Sequence, residues 1–403
     1  MNDTAAEIAP APARVFLQSG HDRRIADGHP WAYSNEIRMD AAAKALAPGT
    51  IAALHRTDGK PLGVGSFNPH TLIAFRMFDT DARRPIDEAF LHGRLARALA
   101  LRERLFEEPY YRLVHAEADG LPGLICDRLG DVLVLQLNTA GMQALAPMLL
   151  PALDRLLAPR AIVLRNDAPA RGLEGLPPEV VVAKGVVDGP VEVREGGLVF
   201  FADVLAGQKT GWFFDQRDSR AFLARLAVGG AALDVYCHTG GFALAAARAG
   251  ATHVDGVDSS EPALALAHRA ALVNGLAAGV EFHRADAFEE LQRLSTGSRR
   301  WRTVVCDPPA FVKSRKDLGS GLRGYRKLAR LAAAVVEPGG FLFVASCSHN
   351  VEPAALLDAV VRGVAGAGRS GRILRDGRAA ADHPVHTHLP ESAYLKSVTL
   401  QLD

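Results

Sequence analysis

The sequence predicts an α/β protein whose C-terminal half is a mostly parallel, doubly wound sheet, preceded by a small all-β region and a middle α+β region. Three observations predict it. From about residue 220 onward, apolar strands alternate with helical segments at the spacing of βαβ units. Residues 14–80 carry only short strands separated by turn dipeptides. At 403 residues, the chain is too long for one ordinary core.

From the N-terminus, residues 1–13 are expected to form a disordered tail, and they lack the charged and apolar regions of a signal peptide. The strands VFLQ, TIAALH, PLGVGSF and LIAFRMF follow, with Pro48-Gly49 and Asp58-Gly59 as turns, and predict a small β-barrel or sandwich over 14–85. Apolar residues at three- and four-residue spacing predict a helix over 86–107, with Asp87 and Glu88 at its positive end and Pro109 as a stop. A run of strands over 111–205 predicts an antiparallel layer completing a middle domain, 86–205. Residues 206–403 form the doubly wound domain: strand AALDVY, a glycine turn and helix, then strands THVDGVD, VEFHRAD, TVVCD and GFLFVAS, each separated by a helix.

Hydrophobic content of 48% and charged content of 23% fit an ordinary globular protein. A net charge of +1 removes any global electrostatic case for nucleic acid, so such a case must be local. The four cysteines form no CxxC pair, which argues against a disulfide framework or a metal site and for reduced thiols in the cytoplasm. With no apolar run of about 18 residues, no membrane span is expected.

Residues 234–242 (DVYCHTGGF) end the first strand of the doubly wound region, the crevice where open α/β sheets bind ligands. Gly240 and Gly241 allow close backbone approach, Cys237 and Thr239 line the turn, and the spacing is not that of a dinucleotide fingerprint. Asp258, ending the second strand, is placed to accept ribose hydroxyls, and Asp286, ending the third, to meet an adenine amino group. Each acid alone reads equally as a helix N-cap; in succession they favour a nucleoside cofactor. Asp307, with Pro308 and Pro309 behind it, ends the fourth strand on a rigid turn that can face cofactor and substrate together. Phe311 either stacks a base or packs internally.

Cys347, between Ser346 and Ser348, ends the last apolar strand read here and points toward the same crevice. A buried cysteine is commonly a core residue, the reading preferred for Cys306. A thiolate at Cys347 would nevertheless solve a chemical problem. Carbon 5 of a pyrimidine is a poor nucleophile until a thiolate adds to carbon 6. Asp307 could then hydrogen-bond the pyrimidine edge or handle a proton, with His115, His283, His349 or His383 as possible bases. Lys313, Arg315, Lys316, Arg323, Arg326, Lys327 and Arg330, opposed only by Asp317, form either a local cationic patch for RNA or a solvated helix face.

These motifs resemble a known family. Residues 234–242, Asp258, Asp286, Asp307-Pro308-Pro309 and Ser346-Cys347-Ser348 are similar to the successive motifs of class I methyltransferases. Residues 207–220 (GQKTGWFFDQRDSR) resemble the GxKTGxxxDQRxxR entry to the catalytic domain of the ribosomal RNA large subunit methyltransferase I family. Residues 117–125 (EADGLPGLI), 381–385 (ADHPV) and 28–33 (GHPWAY) resemble further segments of that family.

The resemblance implies an RNA-binding PUA domain, a middle α+β domain and a Rossmann-like methyltransferase domain. It implies S-adenosylmethionine as cofactor, 23S rRNA as partner, naked or in an assembling subunit, and 5-methylcytidine as product. Carried over, Cys347 is the nucleophile and Asp307 its acid. Gln216, Arg217, Asp234, Gly240, Asp258 and Asp286 surround the cofactor; from the residues themselves, Pro308, Pro309, Phe311, Lys313, Arg315, Lys316 and Arg323 are expected to face the substrate. Ala310 stands where better-known RNA cytosine methyltransferases carry a cysteine, leaving one catalytic thiol. A homodimer is compatible with this reading. Two alternatives stay open: methylation of a base nitrogen oriented by Asp307-Pro308-Pro309, and a non-catalytic RNA-binding or assembly factor.

Overall fold

A computed structural model describes residues 12–403. The tail expected over 1–13 lies outside the described residues except for its last two, and Ala13 already opens the first strand. The described chain divides between Val186 and Val187 into two compact units, with Pro384–Pro390 returning to the first and Glu391–Asp403 to the second.

The first unit begins with β1 (Ala13–Phe16), the short helix α1 (Arg23–Ala26), β2 (Trp31–Tyr33), α2 (Ala41–Lys44), β3 (Thr50–His55), β4 (Pro61–Phe67) and β5 (Ile73–Asp79). The five strands pair in the order β1-β3-β4-β5-β2. A bridge between Leu17 and Ile37 brings the sheet's two margins together, curling it toward a barrel. Val15, Leu17, Ile37, Leu54, Phe67 and Phe75 fill its interior.

Helix α3 (Glu88–Leu105) starts where Asp87 accepts a hydrogen bond from Phe90 N–H. After it come β6 (Tyr110–His115), β7 (Leu124–Leu129), β8 (Val132–Leu137), α4 (Ala140–Leu157), β9 (Ala161–Asn166), α5 (Ala170–Leu173) and β10 (Glu179–Lys184). The wholly antiparallel layer expected here is corrected at one place, because β8 and β9 run parallel. The crossover is α4, whose Pro147 and Pro151 disguised it in the sequence. Buried Arg102 holds Asp119 through two hydrogen bonds of 2.5 and 2.8 Å.

The second unit opens with the hairpin β11 (Val191–Glu195) and β12 (Leu198–Ala202). The sequence reading put these strands in the middle domain; here β12 packs on the second unit, where Asn274 bonds both backbone groups of Val199. The doubly wound region then runs α6 (Arg217–Leu226), β13 (Ala231–Val235), α7 (Gly241–Ala249), β14 (His253–Asp258), α8 (Glu261–Val273), β15 (Val280–Arg284), α9 (Ala287–Thr296), β16 (Trp301–Cys306), α10 (Leu318–Val335), β17 (Val336–Ser346), α11 (Pro353–Gly366), β18 (Gly371–Arg378) and β19 (Lys396–Leu402). Sheet order is β15-β14-β13-β16-β17-β19-β18, with only the pairs involving β19 antiparallel. The order reverses between β13 and β16, and that switch point opens the ligand crevice at the carboxyl ends of the strands.

Strand alternation sorts the core onto two faces. Leu233, Val235, Val304, Cys306, Leu342 and Val344 meet residues of α9, α10 and α11. Val305, Phe343 and Ala345 meet Leu223 of α6 and Phe242 of α7. Cys306 is thereby committed to the core, as its apolar strand suggested.

Candidate active site and cofactor crevice

The turn after β13 carries the first cluster. Tyr236 and His238 adopt positive φ values of 67° and 49°, and Gly240 one of 83°. Such backbone is unfavourable for residues with a Cβ and persists where the surroundings impose it. Here Asp258 imposes it: one carboxylate oxygen accepts from His238 N–H at 2.9 Å and the other from Ser260 N–H at 2.8 Å. A Cβ on Gly240 would sit 3.2 Å from Ala267 and from the Phe282 ring.

Asp234 lies beneath this turn, 2% exposed, with one oxygen accepting from Ala243 N–H at 2.9 Å. Its other oxygen is buried and has no partner. Burial, aided by the Asp307 and Asp258 carboxylates, pushes its carboxyl up to about 8. Gln216 is equally buried, and its side-chain amide pairs with the Asp307 carboxyl, holding that group down. A buried polar atom without a partner is costly, and this second oxygen of Asp234 suits a donor from a bound molecule. The crevice therefore fits a polar nucleoside cofactor, which Asp234, Asp258, Asp286 and the 236–241 turn would hold. Cys237 and Thr239 are buried in that turn. Asp286 is exposed and caps α9 through Phe288 and Glu289 N–H groups, leaving its second oxygen toward solvent.

The segment before α6 closes the other side. Glu195 of β11 receives Arg220 of α6 through bonds of 2.6 and 2.9 Å, and the guanidinium lies 4.7 Å from the Trp212 ring centre. Gly241 packs against the same Arg220 and Trp212. Arg217, expected near the cofactor, lies against Phe214 and 3.8 Å from Glu195.

Beyond the end of β17, Ser346 and Ser348 are buried and Cys347 is partly buried; the other three cysteines are buried. Tyr325 hydroxyl bonds the two serine hydroxyls at 2.8 and 3.2 Å, and Ser348 Oγ accepts from Val312 N–H at 3.3 Å. The Ser-Cys-Ser turn and the loop that follows Asp307-Pro308-Pro309 are thus fastened to each other. Burial raises the Cys347 thiol; Lys209 opposes that rise, while Asp307 and Asp215 add to it. Desolvation and Asp215 push Asp307 up to about 7. Those mutual influences bring Cys347, Asp307, Asp215 and Lys209 into one electrostatic neighbourhood.

Three of these participants were not singled out from sequence. Lys209 and Asp215 are fixed positions of the GxKTGxxxDQRxxR pattern at 207–220, but the sequence reading assigned them no role. Tyr394 donates its hydroxyl proton to Asp215 at 2.5 Å and has the His349 ring 5.5 Å away. It comes from the far end of the chain, a pairing without sequence signal.

Of the three candidate bases in the second unit, His349 and His383 adjoin this neighbourhood. His383 bonds buried Asp382 at 2.8 Å and lies 6.4 Å from Tyr394. His115 belongs to the first unit. His283 bonds Asp255 at 3.2 Å, beside His253 at 3.3 Å. His253, Asp255 and Glu281 are spaced as metal ligands can be, yet Asp255 also accepts from Trp301 and Arg299, each at 2.7 Å. Phe311, considered for base stacking or internal packing, is partly buried, with its ring 4.7 Å from Tyr325 and 5.9 Å from Phe288. Pro308 is buried and Pro309 exposed, while Lys313, Arg315, Lys316 and Arg323 all reach solvent.

Residues 183–373 match the S-adenosylmethionine-dependent methyltransferase family, and residues 15–80 the PUA-like domain family. Fold and crevice together define an S-adenosylmethionine-dependent methyltransferase with an N-terminal PUA-like domain. Ribosomal RNA large subunit methyltransferase I of Shewanella denitrificans is 35% identical over 394 residues, covering 96% of this chain and 99% of its own. Its counterpart from Pseudoalteromonas translucida is 35% identical over 393 residues, covering 95% and 98%. The chain belongs to the ribosomal RNA large subunit methyltransferase I family. In fold it is similar to a methyltransferase solved with S-adenosylhomocysteine, at a TM-score of 0.82 and 17% identity over 96% of this chain and 100% of that one. An S-adenosylmethionine-dependent methyltransferase from Streptococcus mutans matches at 0.80 and 18% identity, again over 96% and 100%. No helix of the described residues is long and apolar enough to cross a membrane.

Proposed function

We propose that this methyltransferase acts on large-subunit ribosomal RNA and converts a cytidine to 5-methylcytidine through a covalent adduct with Cys347. The observation that carries the chemistry is the position of Cys347: it is partly buried at the carboxyl end of β17, the least buried of the four cysteines, within electrostatic reach of Asp307. Bound S-adenosylmethionine supplies an electrophilic methyl group. The chain's own residues make carbon 5 able to take it. Cys347, as thiolate, adds to carbon 6, and the displaced ring electrons increase the basicity of the ring nitrogen. Asp307, whose raised value leaves it substantially protonated near neutrality, donates a proton to that nitrogen. After methylation, loss of the carbon 5 proton expels the sulfur and regenerates the thiolate, and the ring nitrogen returns its proton to the Asp307 carboxylate. His349 is the candidate that accepts this proton: partial desolvation, with the Lys396 and Lys209 charges, lowers its imidazole and favours the neutral form.

RNA would approach over the basic stretch. Lys313, Arg315, Lys316, Arg323, Arg326, Lys327 and Arg330 are all exposed, and none has an ion-pair partner among the described residues. Free cations beside a catalytic turn suit phosphate contacts.

The test is Cys347→Ala. It is expected to bind S-adenosylmethionine within about twofold of the parent and to transfer no methyl to RNA from a strain lacking the gene. Nucleoside mass spectrometry of the parent's product distinguishes carbon 5 from a base nitrogen. Undiminished turnover by the alanine enzyme would exclude the adduct.

A further inference from the structure

We infer that Lys396 is a positioning residue that clamps the turn carrying Cys347 and holds its sulfur ready for the base. The inference rests on the reading of Cys347 as nucleophile. It starts from an anomaly in strand β19. Val398, Leu400 and Leu402 of that strand enter the core, and alternation places Lys396 on their face. The pattern asks for an apolar residue at 396, yet a lysine stands there, only 7% exposed. Burial depresses its ammonium below the ordinary lysine value. Among the described residues no carboxylate forms an ion pair with it, and the Glu352 carboxylate acts on it only from a longer distance.

Its partners are two backbone carbonyls. The ammonium donates to Ser348 C=O at 2.6 Å and to Val351 C=O at 2.7 Å. These carbonyls are the two ends of the turn that follows Cys347, a turn closed by Val351 N–H donating to Ser348 C=O at 3.2 Å. Lys396 itself lies opposite Ser346 in the antiparallel register of β17 and β19. One side chain therefore reaches over Cys347 from its own strand to the turn beyond. On the other side Tyr325 bonds both flanking serine hydroxyls. The cysteine is left as the one side chain of the Ser-Cys-Ser segment not engaged in holding the turn. A nucleophile held this way needs no rearrangement when the base arrives, and the nearby cation also favours its thiolate.

The experiment compares full-length Lys396→Met, Lys396→Gln and Lys396→Arg enzymes with the parent. Iodoacetamide labelling of Cys347 is followed by peptide mass spectrometry from pH 6 to 10, alongside calorimetry with S-adenosylmethionine and methyl-transfer kinetics. The methionine variant is expected to keep its affinity and KM for S-adenosylmethionine within about twofold. Its kcat should fall by between about tenfold and about a hundredfold, the scale of a misplaced reacting group, with the Cys347 labelling midpoint moved to higher pH. Arginine, which retains donors and charge, should outperform glutamine. Parent-like labelling and turnover in the methionine variant would overturn the clamp. If that variant loses cofactor binding altogether, arginine and glutamine decide: arginine faster supports the clamp, and equal rates overturn it. Labelling reads the turn without catalysis, so a Cys347→Ala enzyme with full turnover would remove the nucleophile reading while leaving the clamp testable.

Discussion

Replacing Asp307 by asparagine should change the shape of the pH dependence of methyl transfer, not only its height. The Asp307 carboxyl is pushed from an ordinary 3.8 to about 7, by desolvation first and then by Asp215. Cys347 is moved in the same direction, above an ordinary thiol value of 9.0. The proposed addition needs Asp307 protonated and Cys347 ionised. Below pH 7 the acid is fully protonated and the thiolate fraction rises tenfold per unit. Between about 7 and the thiol value the two fractions change in opposite directions and their product is constant. Two units of separation hold the competent form of the free enzyme to about one per cent or less on that plateau. The parent profile of kcat/KM should therefore bend near pH 7 and fall again only above the thiol value. An amide at 307 has no proton to lose, so the bend near 7 should vanish. The rate, reduced by about 10²- to 10⁴-fold for loss of an acid, should then climb steadily toward the thiol limb. Radiolabelled methyl transfer at limiting RNA between pH 5.5 and 9.5 measures this. A bend near 7 that survives in the asparagine enzyme would refute the assignment of that titration to Asp307.

Two other perturbations probe separate parts of the structure. Removing Glu195 leaves the guanidinium of Arg220 buried without its paired carboxylate; Glu195→Ala should destabilise the second unit by about 3–5 kcal/mol, read from denaturant unfolding of the full chain, and an unchanged midpoint would show the pair to be dispensable. Alanine at Lys313, Arg315, Lys316 and Arg323 together should weaken RNA binding and lower the salt dependence by up to about four phosphate contacts. Cofactor affinity should be unaffected, and an unchanged salt slope would remove this stretch from the RNA path.

The doubly wound domain was legible because its signals are local. Each strand of the β13–β17 series is a short apolar run ended by an acid or a cysteine, and each following helix repeats apolar residues at helical spacing. The β-rich N-terminal region was legible for the same reason, through its turn dipeptides. Helix α4 was not, because Pro147 and Pro151 look like breakers until packing on α3 and β8 outweighs them. The hairpin β11–β12 was readable as strands, but strand propensity does not say which core a hairpin joins. The last strands, β18 and β19, also went unread: β18 is largely exposed, and β19 begins with a buried lysine.

By itself, the sequence determined the class of the chain: the order of strands and helices, the glycine turn at 240–241, the acids at 234, 258 and 286, and a lone cysteine past the fifth strand of the parallel series. These depend on neighbours a few residues apart, which a linear text records. Only the tertiary structure decided which groups share the crevice. Asp215, Lys209, Tyr394 and Lys396 come from before the first strand of the doubly wound sheet and from the last two dozen residues, brought together by the antiparallel insertion of β19. The physical reason is that burial and electrostatic coupling are properties of distance in space, and those between Asp307, Asp215 and Cys347 exist only once the chain has closed around them.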